Sequence, residues 1–400
     1  MTNPLLEVDR GQRVMRIAFI VGIVGIVAWA IGLSTNPRMA FGGYLVAYAT
    51  GVSLALGALL LVMIGHVTNA TWFVVFRRIT ENAAATFPIF ILLFVPLLLG
   101  LGALYPWAGS LSALPAELQT KILAKRAYLN VPFFIVRAFI YFVIWTGFSL
   151  WLRRASIRQD RDPSNGPWRL QRRIAAGGLP PVALALTFAS FDWLMSLSPA
   201  WWSSIYGVYY FAGAMVGALG MVAVLAFACQ RAGLLDYLAA PEHYGALGKL
   251  LLTFVIFWAY IAFAQYLIIW IADIPAEASW YLVRTRGGWA VLGIVVLVGQ
   301  FAIPFLLLLF RALKRRPLVM AVLGVWLLVM HYLDIYWLVM PSLFPDSAVV
   351  SWTTIAAIFG VGGLAVAFGI WQLRGHAIVP RGDPELAASL EYGRTWAVEE

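Results

Sequence analysis

The chain has 400 residues, of which 62% are hydrophobic and 12% charged, with a net charge of +10 and a mean hydropathy of +0.85. Soluble domains carry about 25% charged residues, so this composition excludes a soluble globular protein and points to an integral membrane protein. The basic excess reads as charge flanking membrane helices rather than as a nucleic-acid surface, and the single cysteine, Cys229, excludes an intrachain disulfide and a cysteine metal cluster.

Arg10, Arg13 and Arg16 precede the first apolar run. Ala28-Trp29-Ala30 faintly looks like a signal-peptide cleavage site, but the run is predicted to be retained as the first spanning helix. Runs at or above the lower limit of roughly 17 residues for a span follow at Ile17–Leu33, Tyr44–Ile64, Ala85–Leu104, Val131–Leu152, Leu179–Leu197, Ile205–Ala228, Leu250–Ala272, Trp289–Phe310, Leu318–Pro341 and Ser351–Leu373. The expected fold is an all-α integral membrane protein, one membrane domain over residues 1–400 with about ten transmembrane helices. Of the 28 Lys and Arg, 21 fall at the two termini and in the connections that follow even-numbered helices. Six (Arg38, Lys121, Lys125, Arg126, Arg284 and Arg286) fall in the other connections, and Arg137 lies inside a span. This asymmetry predicts that both termini are cytoplasmic.

The second run opens Tyr44-x3-Tyr48-x2-Gly51 and the sixth opens Tyr206-x3-Tyr210-x2-Gly213. The fifth ends at Asp192-Trp193, and the ninth carries Asp334 with Trp337 a turn later. Residues 44–197 and 205–341 are therefore expected as two four-helix bundles in parallel repeat, with 17–33 and 351–373 as flanking helices.

Charged side chains in hydrocarbon cost roughly 2.5–3.5 kcal/mol or more, which makes each one a functional candidate. At about 1.5 Å per residue, Arg137, Asp192, His331 and Asp334 fall in the outer half of the membrane, and Gln265 and Gln300 fall in or near its middle layer. They are expected to form a polar cluster. His331 and Asp334 share a helix face at i, i+3, and a carboxylate beside a histidine favours the imidazolium, so the pair reads as a protonatable site or proton relay. A structural reading stands beside it: Arg137 pairs with Asp192, and His331 bonds Asp334 or a carbonyl. On the inner side, GHVTNATWFVVFRR holds His66, Asn69, Trp72, Arg77 and Arg78. These read as interfacial anchors, or alternatively as a proton uptake point or lipid headgroup contact. His66 and His331 differ in depth by about 20 Å, so they cannot ligate one haem. No haem or other metal is expected. There is no Walker A loop or dinucleotide fingerprint, and the glycines at 213, 217, 220, 360 and 363 read as packing positions.

FDWLMSLSPAWWSSIYGVYYFAG, GHVTNATWFVVFRR and HYLDIYWLVMPS together resemble the NrfD-like (polysulfide-reductase type) membrane subunits. Within them the chain looks like the second such subunit, the ActF type, of bacterial alternative complex III, a quinol:cytochrome c (or copper protein) oxidoreductase. The resemblance covers nearly the whole chain, and its most specific element is the Asp-Trp-x-Met-Ser run. It implies a bacterial inner-membrane location and a partner set: iron–sulfur and c-type cytochrome subunits that hold the clusters and haem c, a second NrfD-like membrane subunit, and lipid. It implies no cofactor bound by this chain, no catalytic residue in it, and quinol or quinone as the candidate ligand. Carried over, the family's helix 5 acid is Asp192, its His-x-x-Asp pair is His331 and Asp334, and its inner histidine is His66. Asp192 would then move protons or orient a loop under a partner, with Trp201, Trp202 and Tyr206 as outer-interface anchors. The alternative class is a proton-coupled secondary transporter, against which the parallel repeat and off-centre polar residues count.

Overall fold

A computed structural model describes residues 8–392 other than 163, 236 and 237, with backbone alone at residues 8–10. Arg394 and the side chain of Arg10, both in the charge count, lie outside the described residues. The described residues are all-α, without a strand. Among the described residues ten helical segments are long and apolar enough to cross a membrane: α1 (Gly11–Gly32), α2 (Pro37–Val67), α3 (Thr71–Leu99), α4 (Val131–Gln159), α5 (Asn165–Leu197), α6 (Tyr206–Arg231), α7 (Pro241–Ala272), α8 (Gly287–Leu309), α9 (Pro317–Leu343) and α10 (Trp352–Leu373). The chain is a multi-pass membrane protein.

Local chemistry sets the starts. Pro37, Pro132, Pro241 and Pro317 open α2, α4, α7 and α9, where the missing N–H costs nothing. The Asn36 and Asn130 side chains accept from the amides of Met39 and Phe133. Six segments run well past their predicted apolar stretches: α1, α2, α3, α5 and α7 start earlier, and α4 ends later. Hydropathy reads the apolar part of a helix, whereas backbone hydrogen bonding carries the helix on through polar residues, whether exposed, as Arg169 and Arg173 are, or paired inside the protein, as Arg78 is with Asp160. Arg77 and Arg78, expected in a connection, lie inside α3 and are buried.

The first and last helices pack antiparallel, with Gly11 beside Ile370 at one end and Gly32 beside Thr353 at the other. The start of α1 and the end of α10 therefore share one face of the protein, called here the termini face. A Cβ at Gly25 would lie 2.4 Å from the Gly360 amide nitrogen, so the two backbones touch through glycine. Neighbours run α2–α3, α3–α4, α4–α5 and α5–α2 in one closed set, and α6–α7, α7–α8, α8–α9 and α9–α6 in another. The sets meet where α2 lies against α6 and α9. Side chains such as Phe139, Phe263, Ile271 and Leu306 point outward, as a lipid-facing surface requires.

Candidate functional site

The candidates do not form one cluster; they fall into three groups. The first surrounds Asp192 at the end of α5. Arg137 on α4 donates Nε to Oδ2 at 2.8 Å and Nη2 to Oδ1 at 3.0 Å, and the Tyr141 hydroxyl adds a bond to Oδ2 at 2.7 Å. The third arm of Arg137 reaches the Tyr128 carbonyl at 2.9 Å, and its guanidinium sits 3.8 Å from the Tyr128 ring centroid. Both carboxylate oxygens are thus occupied in a two-pronged ion pair, and the pair is buried. A cleft of about 360 Å3 opens beside it, lined by Lys125, Tyr128, Phe188, Phe191, Met195 and Trp202 among others.

The second group surrounds Asp334 on α9. Tyr209 of α6 donates to Oδ1 at 2.5 Å, Trp258 of α7 to Oδ2 at 3.1 Å, and Gln300 of α8 to Oδ2 at 3.4 Å. Each of the other three helices of that set sends in one neutral donor. No ion pair among the described residues involves Asp334. Gln300 lies in a π-helical segment, Leu297–Ala302, that interrupts α8. Such segments shift register by one residue and are frequent at functional sites. Gln265 is buried two turns beyond Trp258 on α7, beside Tyr281. His331 does not bond Asp334. Its Nε2 meets Ser53 Oγ of α2 at 2.7 Å, across the junction of the two sets, and its Nδ1 is buried without a partner.

Above Asp334, away from the termini face, Arg284 of the short helix Pro275–Arg284 is buried, with no acid paired to it among the described residues. It donates to the carbonyls of Trp280, Trp337 and Leu338 and to Ser342 Oγ, with its guanidinium 3.4 Å from the Trp280 ring centroid. Burial pushes its pKa down to about 9. Trp280 stacks on Trp201 at 4.6 Å. Trp201 and Tyr206, expected as interface anchors, are therefore core residues at 4% and 1% exposure, and only Trp202 of the three, at 60%, is exposed. A buried aromatic stack and an apolar interface belt have the same composition, which is why the sequence did not separate them.

The third group is at the termini face. Arg77 pairs with Asp383 and approaches Glu81 at 3.6 Å; Arg78 approaches Glu81 at 3.4 Å and pairs with Asp160 at 2.9 Å. Arg78 also bonds the carbonyls of Ser156 and Ala377. These arginines are internal ion-pair partners instead of interfacial anchors. His66 is buried at the end of α2 with Nε2 unpartnered. Asn69 is exposed and adopts φ 51°, a left-handed turn that asparagine tolerates, so it shapes the turn after α2. Ser53 lies 13 residues before His66 on α2, roughly 20 Å by helical rise, and so the two histidines are far apart. Among the described residues no three His, Cys, Asp or Glu gather at one point.

Sequence reasoning missed Tyr209, Trp258 and Ser53, the partners that define the second group, and Glu81, Asp160 and Asp383, which define the third. Tyr209 stands inside the YGVYYFAG motif, but motif spacing alone does not tell which of three tyrosines faces the acid. Comparison of the chain with known protein families and with characterised proteins finds no match.

Proposed function

We propose that the chain is a cofactor-free membrane subunit of a quinol:cytochrome c (or copper protein) oxidoreductase of the alternative complex III type, in which Asp334 and His331 handle protons. It would sit in a bacterial inner membrane with both termini cytoplasmic, beside iron–sulfur and c-type cytochrome subunits and a second NrfD-like subunit. The two closed sets of four helices would be the related halves. The observation that carries the proton role is the contrast between the two buried carboxylates. Asp192 has its charge balanced by Arg137 and both oxygens filled. Asp334 is held by three neutral donors, a setting in which gain and loss of a proton requires no ion pair to break. The apolar cleft beside Tyr128, Phe188, Phe191 and Trp202 is where a quinol ring would lie against this chain. The neighbouring Asp192 has no free oxygen to serve as its base.

Purification from the native membrane in mild detergent tests the reading. Haem c and iron–sulfur signals, by optical and EPR spectroscopy, are expected to accompany the chain. The Asp334→Asn complex is expected to assemble with lowered quinol oxidation and proton release. A colourless protein, stable alone, would overturn the subunit reading in favour of a proton-coupled transporter. Wild-type turnover and proton yield in Asp334→Asn would remove the proton role.

A further inference from the structure

His331 and Asp334 stand three residues apart on α9 with no bond between them, and proton accounting around the imidazole shows how it is held. Ser53 Oγ lies 2.7 Å from His331 Nε2 and 2.7 Å from the Thr50 carbonyl on its own helix. A serine hydroxyl has one hydrogen. Given to Thr50, it leaves a lone pair on Oγ to accept from Nε2–H. Given to Nε2 instead, it would leave a neutral ring carrying its hydrogen on Nδ1. That nitrogen is buried and has no hydrogen-bond partner among the described residues. Buried N–H groups without an acceptor are rarer in folded proteins than under-filled acceptors, so both counts select the same tautomer.

The helix behind the ring fixes where Nδ1 lies. A Cβ at Gly213 of α6 would be 3.1 Å from His331 Cε1, 3.2 Å from Nδ1 and 3.4 Å from Asp334 Oδ2; one at Gly217 would be 2.9 Å from Cδ2. The ring rests along this glycine face, with its Nδ1 edge at the position that also adjoins the Asp334 carboxylate. A side chain at 213 would fill the space between the two groups.

We infer that Ser53 is a positioning residue: it holds His331 as the Nε2–H tautomer and presents the unprotonated Nδ1 towards Asp334 across the space kept open by Gly213. The inference deepens the proton-handling reading and rests on it. An unprotonated Nδ1 is the state able to take up a proton on the Asp334 side of the ring, and a proton passing between the two groups must cross the space at Gly213, because they are not hydrogen-bonded to each other. Because Ser53 belongs to α2 and His331 to α9, the junction between the two helix sets becomes part of the proton-handling site.

The test is 15N NMR of the full chain labelled at histidine, near neutral pH. There are four histidines, and His331→Gln removes one set of signals and so identifies that ring. The expected wild-type spectrum has His331 Nδ1 at the position of an unprotonated nitrogen and Nε2 at that of an N–H. Ser53→Ala is expected to mix or reverse the tautomers, and Ser53→Thr to keep them. His243 serves as an internal control for folding, since its Nδ1 accepts from the Ala240 amide at 3.0 Å and its Nε2 donates to the Ser389 carbonyl at 2.9 Å. An Nδ1–H signal for His331 in the wild type overturns the inference, and so does an unchanged tautomer in folded Ser53→Ala. Should Ser53→Ala not fold, the wild-type spectrum decides. The readout does not depend on turnover, so failure here and failure of the proton role of Asp334 are separate results.

Discussion

Arg284 donates to the carbonyl of Trp337, the acceptor that Pro341 leaves without its helical partner. In an unbroken helix the N–H of residue 341 would bond that carbonyl; proline has none. The guanidinium fills the vacancy from the α7–α8 connection and adds the Leu338 carbonyl at 2.7 Å. The connection is thus fastened to α9 one turn beyond Asp334, at the point where the helix is weakest.

This predicts a coupled pair. Arg284→Met should cost at least about 2 kcal/mol, because charged donors to buried acceptors are lost. In a Pro341→Ala background the restored N–H takes over the Trp337 carbonyl, and the cost of Arg284→Met should fall by at least about 0.5 kcal/mol. Denaturant unfolding of the four proteins in detergent measures the coupling, and additive costs would contradict it.

The ion pair of the first group behaves differently. Arg137→Leu should destabilise the fold by about 3–5 kcal/mol by leaving Asp192 buried and unbalanced. Adding Asp192→Asn should recover part of that loss, since the uncompensated charge is gone. Thermal unfolding of the single and double variants checks this; a double variant as unstable as the sum of the singles would show that the two residues do not share one interaction.

Close helix crossings give a ranking of glycines. A Cβ at Gly57 would be 2.3 Å from the Ala214 carbonyl oxygen, and one at Gly324 2.4 Å from that of Gly220. Both obstacles are backbone, so the helices must separate, and each alanine variant should lose about 1–3 kcal/mol or more. Gly147 on α4 has nothing within 4 Å of its Cβ position. There, alanine should be neutral or stabilising by up to about 1 kcal/mol. Melting temperatures that fail to separate Gly147→Ala from the other two would refute the ordering.

The fold was legible because a membrane span is a length-and-hydropathy problem: ten apolar runs became ten helices, and the glycines at 360 and 363, read as packing positions, sit where the backbones of α10 and α1 meet. What hydropathy could not reveal was partnership. Arg77 and Arg78 look like the end of a span until Asp160 and Asp383, 82 and 306 residues further on, neutralise them in the interior. The site residues Asp192, His331 and Asp334 stood out as polar atoms in apolar runs. Their division into separate groups did not, since depth along a helix says nothing about which face it turns. The i, i+3 spacing of His331 and Asp334 brought them to one side of α9, but His331 spends its hydrogen bond on Ser53 of another helix.

Asp334→Asn should be better tolerated by the fold than Asp192→Asn. An asparagine at 334 keeps one acceptor for the Tyr209 hydroxyl. Its new NH2 would face the donors of Trp258 and Gln300, but the Gln300 Oε1 is buried and unpartnered, so an amide flip turns that side chain from donor into acceptor. The Trp258 N–H has no such exchange and is left facing an NH2, so the cost should be about 1–3 kcal/mol, below the loss at 192. At 192 no such exchange exists, because the Arg137 fork has no acceptor role to offer and keeps its charge, so the loss there should approach the value for Arg137→Leu. Proton-coupled turnover should show the opposite order, falling by about 100-fold or more in Asp334→Asn while any Asp192→Asn protein that remains folded stays within a few-fold of wild type. Equal destabilisation by the two substitutions, with equal turnover, would mean that both carboxylates are structural and that neutral donors do not mark the working one.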